Sequence, residues 1–305
     1  MKKVLVITGS TASGKSDLGV EFAKKFNGEI ISCDSVQVYR GLDIGSAKIT
    51  ESEKQGVVHH MIDILDLSES MNVAFFQTMA RKLIDDITNR GKLPICVGGT
   101  GFYIKALLYD YEFEVESDIV DDDFDELSNQ ELYELLQNSD QKEANKIHVN
   151  NRKRLLRVLR LMKSSGKTRT SIVESQKHEL LYDAKVYFLT YPREELADRI
   201  NRRVDIMMEQ GLLDEVTSVS SHGQHFDYQA LSAIGYREFH DYFLGNKTLE
   251  EVLEDIKKHS RQFSKRQMTW FRNQMPGSIV NMKDTTQETM AHSIAEWLNS
   301  DKMEV

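Results

Sequence analysis

The segment Gly9-Ser10-Thr11-Ala12-Ser13-Gly14-Lys15-Ser16 constrains this chain more than any other. It matches the phosphate-loop pattern in full, and such a loop works only where a strand passes directly into a helix. Both contexts are present. Lys3 to Ile7 is a short apolar run, and Ser16 to Phe26 is amphipathic. Backbone N–H groups of Gly9, Thr11, Ala12, Ser13, Gly14, Lys15 and Ser16 can converge on phosphate oxygens, helped by the helix dipole. Lys15 adds a point charge, and Ser16 offers its hydroxyl to Mg²⁺. The motif specifies a di- or triphosphate but no reaction. ATPase, kinase and diphosphate-leaving-group chemistry all remain open.

The rest of the chain fits such a loop. Glu29 to Cys33 and Leu93 to Gly99 read as buried strands, and Val73 to Thr88 repeats apolar residues at helical spacing. This alternation predicts an α/β fold, a phosphate-loop core with a parallel sheet covered by helices. After Tyr109 it stops. Ser128-x-x-Glu131 opens a helix near Leu132 to Leu136, and Asn151 can cap another that stops at Gly166. Lys185 to Tyr191 then restores a strand, Pro192 fits the first turn of a helix ending at Gly211, and Thr248-x-x-Glu251 opens a long helix toward Trp270. The expected organisation is a core of 1–112 and 184–305 with an all-helical insertion over 113–183. Residues 280–305 are too weakly patterned to say whether they pack.

Ligands of doubly wound sheets bind beyond the carboxyl ends of the strands. Two further strand ends carry polar loops. Asp34, after the second strand, can hold Mg²⁺ indirectly, abstract a proton, or simply cap a loop. Thr100, in Gly98-Gly-Thr-Gly101, can donate to a leaving-group oxygen or serve only as a turn residue. His59-His60 reads as structural, since a tetrahedral metal site needs ligands that are not apparent. Two cysteines, Cys33 and Cys96, exclude a disulfide scaffold and a four-ligand zinc module. No stretch reaches the apolar length of a membrane span, and the first residues are too briefly apolar for a signal peptide. A soluble, cytoplasmic protein with no membrane partner is expected.

The net charge of −9 argues by itself against a nucleic-acid partner. Charge order says otherwise. Residues 112–126 hold nine carboxylates and no Lys or Arg, so the remaining chain is neutral on average. Residues 152–169 hold eight Lys/Arg and 257–272 six, with no acid in either block. Each block alone reads as a solvated face. Together they describe a chain whose mean charge conceals a polyanion-binding face, with the acidic run expected to turn away from it.

Taken in order, these motifs resemble the bacterial tRNA dimethylallyltransferase (tRNA isopentenyltransferase) family. The resemblance runs through the phosphate loop, Asp34-Ser35-Val36-Gln37-Val-Tyr-Arg-Gly, His59-His-Met-Ile-Asp and Gly98-Gly-Thr-Gly-Phe-Tyr. It continues through Asn150-Asn-Arg-Lys153-Arg154-Leu155-Leu156-Arg157, Arg199-Ile-Asn-Arg-Arg203-Val, Ala233-Ile-Gly-Tyr-Arg-Glu and Lys265-Arg266-Gln-Met-Thr-Trp-Phe-Arg. The chain departs from the family pattern at Ser10 and Val149, where relatives usually carry proline. That changes loop stiffness, not the chemical groups. The resemblance implies transfer of a dimethylallyl group from dimethylallyl diphosphate to N6 of the adenosine 3′-adjacent to the anticodon, in tRNAs reading codons that begin with U. It implies Asp34 as general base, and Thr100 and Arg203 as catalytic residues that bind the diphosphate. It implies tRNA contact at Asp34 to Gln37 and at Lys153 to Arg157, and the basic block holding Lys265 and Arg266 is expected to join them. Mg²⁺ at Ser16, the anticodon stem-loop as partner and a monomeric state complete the expectation. A small-molecule kinase and an isopentenyltransferase acting on free AMP are the alternatives.

Overall fold

Short β-rich runs separated by amphipathic helices build a layered core. The computed structural model describes residues 1–113, 124–175 and 178–300. In chain order come β1 (Lys3–Gly9), α1 (Lys15–Lys25), β2 (Gly28–Ser32), α2 (Glu51–Lys54), β3 (His59–His60), α3 (Val73–Asn89), β4 (Leu93–Val97) and α4 (Gly101–Leu108). A helical segment follows, with α5 (Asn129–Ser139), α6 (Gln141–Ala144), α7 (Arg152–Ser165) and α8 (Arg169–Ser175). The core resumes with β5 (Asp183–Thr190), α9 (Arg193–Glu209), α10 (Leu212–Val219), α11 (His240–Phe243), α12 (Leu249–Gln274), β6 (Ser278–Asn281) and α13 (Gln287–Asn299).

Among the described residues the strands form one six-stranded sheet, ordered β3-β2-β4-β1-β5-β6, with every pairing parallel. A parallel sheet must be covered on both faces, and the side chains of β1 supply both. Leu5 and Ile7 join Leu18, Phe22, Ile95, Leu189 and Ile294 in one core cluster, while Val4 and Val6 between them are equally buried. Elsewhere Phe188 of β5 stacks on Phe271 of α12 at 5.1 Å, and Phe76 of α3 on Tyr103 of α4 at 4.8 Å. Burial of such aromatic and aliphatic side chains is the main stabilising term.

The chain divides into two compact units, Met1–Leu108 with Leu181–Val305, and Tyr109–Leu180. The second begins and ends a few residues earlier than the expected 113–183, because its two chain ends pair with each other. Tyr109 bridges Leu180, and the Asp110 N–H donates to the Glu179 carbonyl at 3.0 Å. Its core gathers Leu132, Leu136, Ala144, Ile147, Leu155, Val158 and Leu159. The capping boxes at Ser128 and Thr248 form, Asn151 caps α7 and Gly166 ends it in the left-handed region. Pro192 sits at the N-cap of α9 instead of its first turn, and Gly211 separates α9 from α10. The described part of the weakly patterned end, 280–300, does pack: β6 extends the sheet, and Met290, Ala291 and Ile294 of α13 enter the core.

His59 and His60 form edge strand β3, where His60 bonds the buried Glu29 carboxylate at 2.7 Å. Among the described residues no cluster of His, Cys, Asp or Glu could hold a metal, and no helix is long and apolar enough to cross a membrane. Most of the acidic run, 114–123, lies outside the described residues. At its described end, Asp125 holds Arg160 of α7 at 2.7 Å and accepts a hydrogen bond from Arg152 through its carbonyl.

Candidate active site

The sheet order β2-β4-β1 sets three strand ends side by side: Asp34 after β2, Gly98–Thr100 after β4 and the phosphate loop after β1. Backbone bonds beyond the strands lock them together. Cys33 N–H donates to the Val97 carbonyl, Thr100 N–H to the Cys33 carbonyl and Gly98 N–H to the Ile7 carbonyl. Close approach requires glycine here. A Cβ on Gly98 would lie 2.4 Å from the Cys33 backbone, and one on Gly9 (φ +128°) 2.2 Å from the Leu189 carbonyl oxygen.

Inside the loop, the Ser10 N–H is held by the Leu189 carbonyl and the Thr11 N–H by Gln267 Oε1 at 2.9 Å. Thr11 therefore does not offer its N–H to a phosphate; its hydroxyl faces the Arg203 guanidinium at 3.4 Å. Lys15 Nζ donates to the Ser10 carbonyl. Burial pushes the Lys15 ammonium down to about 7, with the Arg203 charge adding to the shift and Asp34 opposing it. Arg203 is likewise lowered, first by burial. Two cations crowded into a desolvated pocket describe a site completed by an anion. Arg199, one helical turn before Arg203 on α9, donates to the Ala12 carbonyl at 2.9 Å and stacks over Tyr191.

Asp34 Oδ1 accepts from Val36 N–H at 2.8 Å and Gln37 N–H at 3.3 Å, which fixes the carboxylate, while Oδ2 has no protein partner among the described residues. Two adjoining cavities, of about 610 and 450 Å³, share Thr11, Ala12, Asp34, Gly99, Arg203 and Gln267. The first contains Ser13, Gly14, Lys15 and Ser16. The second contains Ser35, Val36, Thr100 and Arg266, with Ile200 and Val204 joining Met207 and Phe263, which line both cavities, in an apolar wall. The Ser16 hydroxyl has no protein partner among the described residues and lines the first cavity. Mg²⁺ bound mainly through phosphate oxygens and water needs little more than one such oxygen from the protein, so the residues fit the ion.

The structure thus gathers Asp34, Thr100, Arg203 and the phosphate loop. Gln37 has a supporting place, its amide donating to the Ala47 carbonyl at 3.2 Å. Lys265 and Arg266 are exposed on α12, and Lys153, Arg154 and Arg157 are exposed on α7 of the helical unit. Leu155 is a correction: it is wholly buried in that unit's core, so its side chain serves packing and not an RNA surface, and Leu156 is half-buried against the same core. Arg160, which shares a face with Lys153 and Arg157, is engaged by Asp125.

Three contributors are not evident from motif chemistry. Gln267 and Arg199 lie within the motifs quoted above but are eclipsed by their charged neighbours. Glu215 of α10 accepts the N–H groups of Asp43, Ile44 and Gly45 at 2.7–3.0 Å and the Tyr236 hydroxyl at 2.7 Å, fixing a loop that lines both cavities.

The IPP transferase family model matches residues 37–274. The tRNA dimethylallyltransferase of Anoxybacillus flavithermus is 48% identical over 287 residues, covering 93% of this chain and 92% of the relative. The Bacillus anthracis tRNA dimethylallyltransferase is 47% identical over 295 residues, covering 93% and 92%. Among solved structures, the tRNA isopentenylpyrophosphate transferase of Bacillus halodurans superposes with a TM-score of 0.76 at 41% identity, covering 100% of this chain and 99% of that one. A eukaryotic dimethylallyltransferase acting on tRNA superposes with a TM-score of 0.88 at 30% identity, covering 99% and 80%. A family model over most of the chain, with relatives 47–48% identical over 93% of it, leaves one placement: the chain belongs to the IPP transferase family.

Proposed function

We propose that this protein transfers a dimethylallyl group from dimethylallyl diphosphate to N6 of the adenosine 3′-adjacent to the anticodon, in tRNAs reading codons that begin with U. One observation carries the reading. A cavity floored by phosphate-binding groups joins an apolar-walled one, and Asp34 and Arg203 line both.

In this reading the diphosphate lies on the loop N–H groups and Lys15, with Arg203 and Thr100 facing it. Ser16 would hold Mg²⁺, which when bound would add further neutralisation of the diphosphate charge. An allylic diphosphate ionises readily because positive charge spreads over two carbons, so stabilising the departing anion and holding the nucleophile in line are the main tasks. The N6 lone pair forms the new bond to the allylic carbon as its bond to the diphosphate oxygen breaks, and that electron pair leaves with the diphosphate. The amine's proton passes to Asp34, whose Oδ2 is the free acceptor. The adenine must leave its stack to reach the site. Lys153, Arg157, Lys265 and Arg266 are assigned to tRNA phosphates, and the protein to a monomer acting in the cytoplasm.

Incubation with labelled dimethylallyl diphosphate and either unmodified tRNA or AMP tests the reading. Label is expected in tRNA alone, and Asp34→Ala is expected to abolish it while leaving tRNA affinity within a few-fold. Incorporation into AMP but not tRNA, or phosphoryl transfer from ATP, would overturn the assignment.

A further inference from the structure

Gln267 follows two exposed cations, Lys265 and Arg266, on α12, yet its own side chain is buried at 6% exposure. Both ends of its amide are used. Oε1 accepts the Thr11 N–H at 2.9 Å, and Nε2 donates to the Gly99 carbonyl at 3.0 Å. No other amide orientation satisfies both partners, since an N–H and a carbonyl oxygen face it from opposite sides. Gly99 leaves the space: a Cβ there would lie 2.4 Å from Gln267 Nε2. One neutral side chain therefore spans the gap between the phosphate loop and the loop that carries Thr100. With its N–H engaged, Thr11 is held so that its hydroxyl meets Arg203.

We propose that Gln267 is a positioning residue that fixes the spacing between the phosphate loop and the Gly98–Thr100 loop, so that the groups on both act together on the departing diphosphate. It touches neither substrate in this account and works through Thr11 and Gly99. The proposal rests on the transferase reading above. Misplacing catalytic groups by about 1 Å costs roughly a hundredfold in rate, which sets the scale expected on removing the clamp.

Two variants test it against the wild-type protein assayed in parallel. Gln267→Met keeps the volume and loses both bonds; kcat is expected to fall about a hundredfold while KM for tRNA stays within about threefold. In Gln267→Glu the carboxylate can still accept from Thr11, but it opposes the Gly99 carbonyl with a lone pair. The neutral acid restores both contacts, since its O–H donates to Gly99 and its C=O accepts from Thr11. Activity of Gln267→Glu relative to wild type is therefore expected to rise about tenfold as pH falls from about 7 to about 5, toward the ordinary glutamate range. A packing role alone gives no such pH-dependent rescue. A Gln267→Met kcat within about threefold of wild type, or a flat pH ratio for Gln267→Glu, would overturn the proposal. Thermal melts show whether each variant folds, and should the Met variant not fold, the pH ratio decides. Absence of transfer by the wild type would instead refute the transferase reading.

Discussion

Lys15 bears its charge at a cost when no anion faces it. Its ordinary value of 10.5 falls to about 7, mainly through burial and then through Arg203. An ammonium whose pKa is lowered by folding destabilises the native state wherever it is charged there, so the penalty is full below about pH 7. It fades as pH rises toward 10.5, where the unfolded chain also loses the proton. Lys15→Met is accordingly expected to melt a few degrees higher than wild type at about pH 6.5 without ligand, with the gap narrowing by about pH 9. In saturating inorganic diphosphate the order should reverse, because wild type, with Lys15 facing the anion, gains the larger stabilisation. Scanning calorimetry at both pH values checks the sign. A Met variant less stable than wild type at the lower pH, without diphosphate, would show that the charge is not strained.

The same division between chemistry and support recurs among the elements. α10 carries no group expected to meet a phosphate, yet its Glu215 carboxylate collects three consecutive N–H groups of the 43–45 loop. Tyr236 completes the clasp, its phenol donating to Glu215 and accepting from the Ser46 N–H. Burial, and then the Glu215 charge beside it, hold the Tyr236 phenol well above its usual range, so it remains a donor. Charge-assisted bonds of this kind make Glu215→Ala cost about 2–3 kcal/mol and Tyr236→Phe about 1 kcal/mol, with the double variant costing less than the sum. Urea unfolding of the four proteins measures the cycle, and strict additivity would mean that the two do not act as one clasp. Such clasps are hard to read from sequence, because Glu215 sits in an ordinary amphipathic helix far along the chain from its partners. What sequence did disclose were elements with local signals: the capping boxes at Ser128 and Thr248, the αL glycine at Gly166 and the loop glycines of the phosphate site. β3 and β6 lacked them. They are two- and four-residue edge strands, too short for periodicity, and their pairing is purely tertiary. Asp34 and Thr100 were legible as polar residues at strand ends, whereas Gln267 was not, because nothing in its local pattern marks a neutral amide on a basic helix as buried.

At the scale of the molecule, mean charge and charge order lead to opposite expectations, and they differ in what salt should do. A chain of net charge −9 gains nothing on average from approaching a polyanion. Binding through local basic blocks instead releases condensed counterions from each neutralised phosphate, whatever the distant acids do. Not every basic residue in those blocks is available. Arg160 is engaged by Asp125, Arg154 pairs with Glu143 at 3.2 Å, and Lys257 pairs with Asp205 at 2.8 Å. Exposed Lys153 and Lys265 have none of these partners and are the clearer candidates for phosphate contact. Affinity for unmodified tRNA is therefore expected to fall steeply between about 50 and 200 mM salt despite the acidic composition. Lys153→Ala and Lys265→Ala should each weaken binding and reduce the slope of log affinity against log salt by about one. Lys257→Ala, removing a cation already held by protein carboxylates, should leave the slope nearly unchanged. Fluorescence anisotropy with labelled tRNA across that salt range measures all three. A wild-type slope near zero, or equal losses for Lys257 and Lys153, would mean that the basic blocks are solvated faces after all, and that mean charge was the better guide.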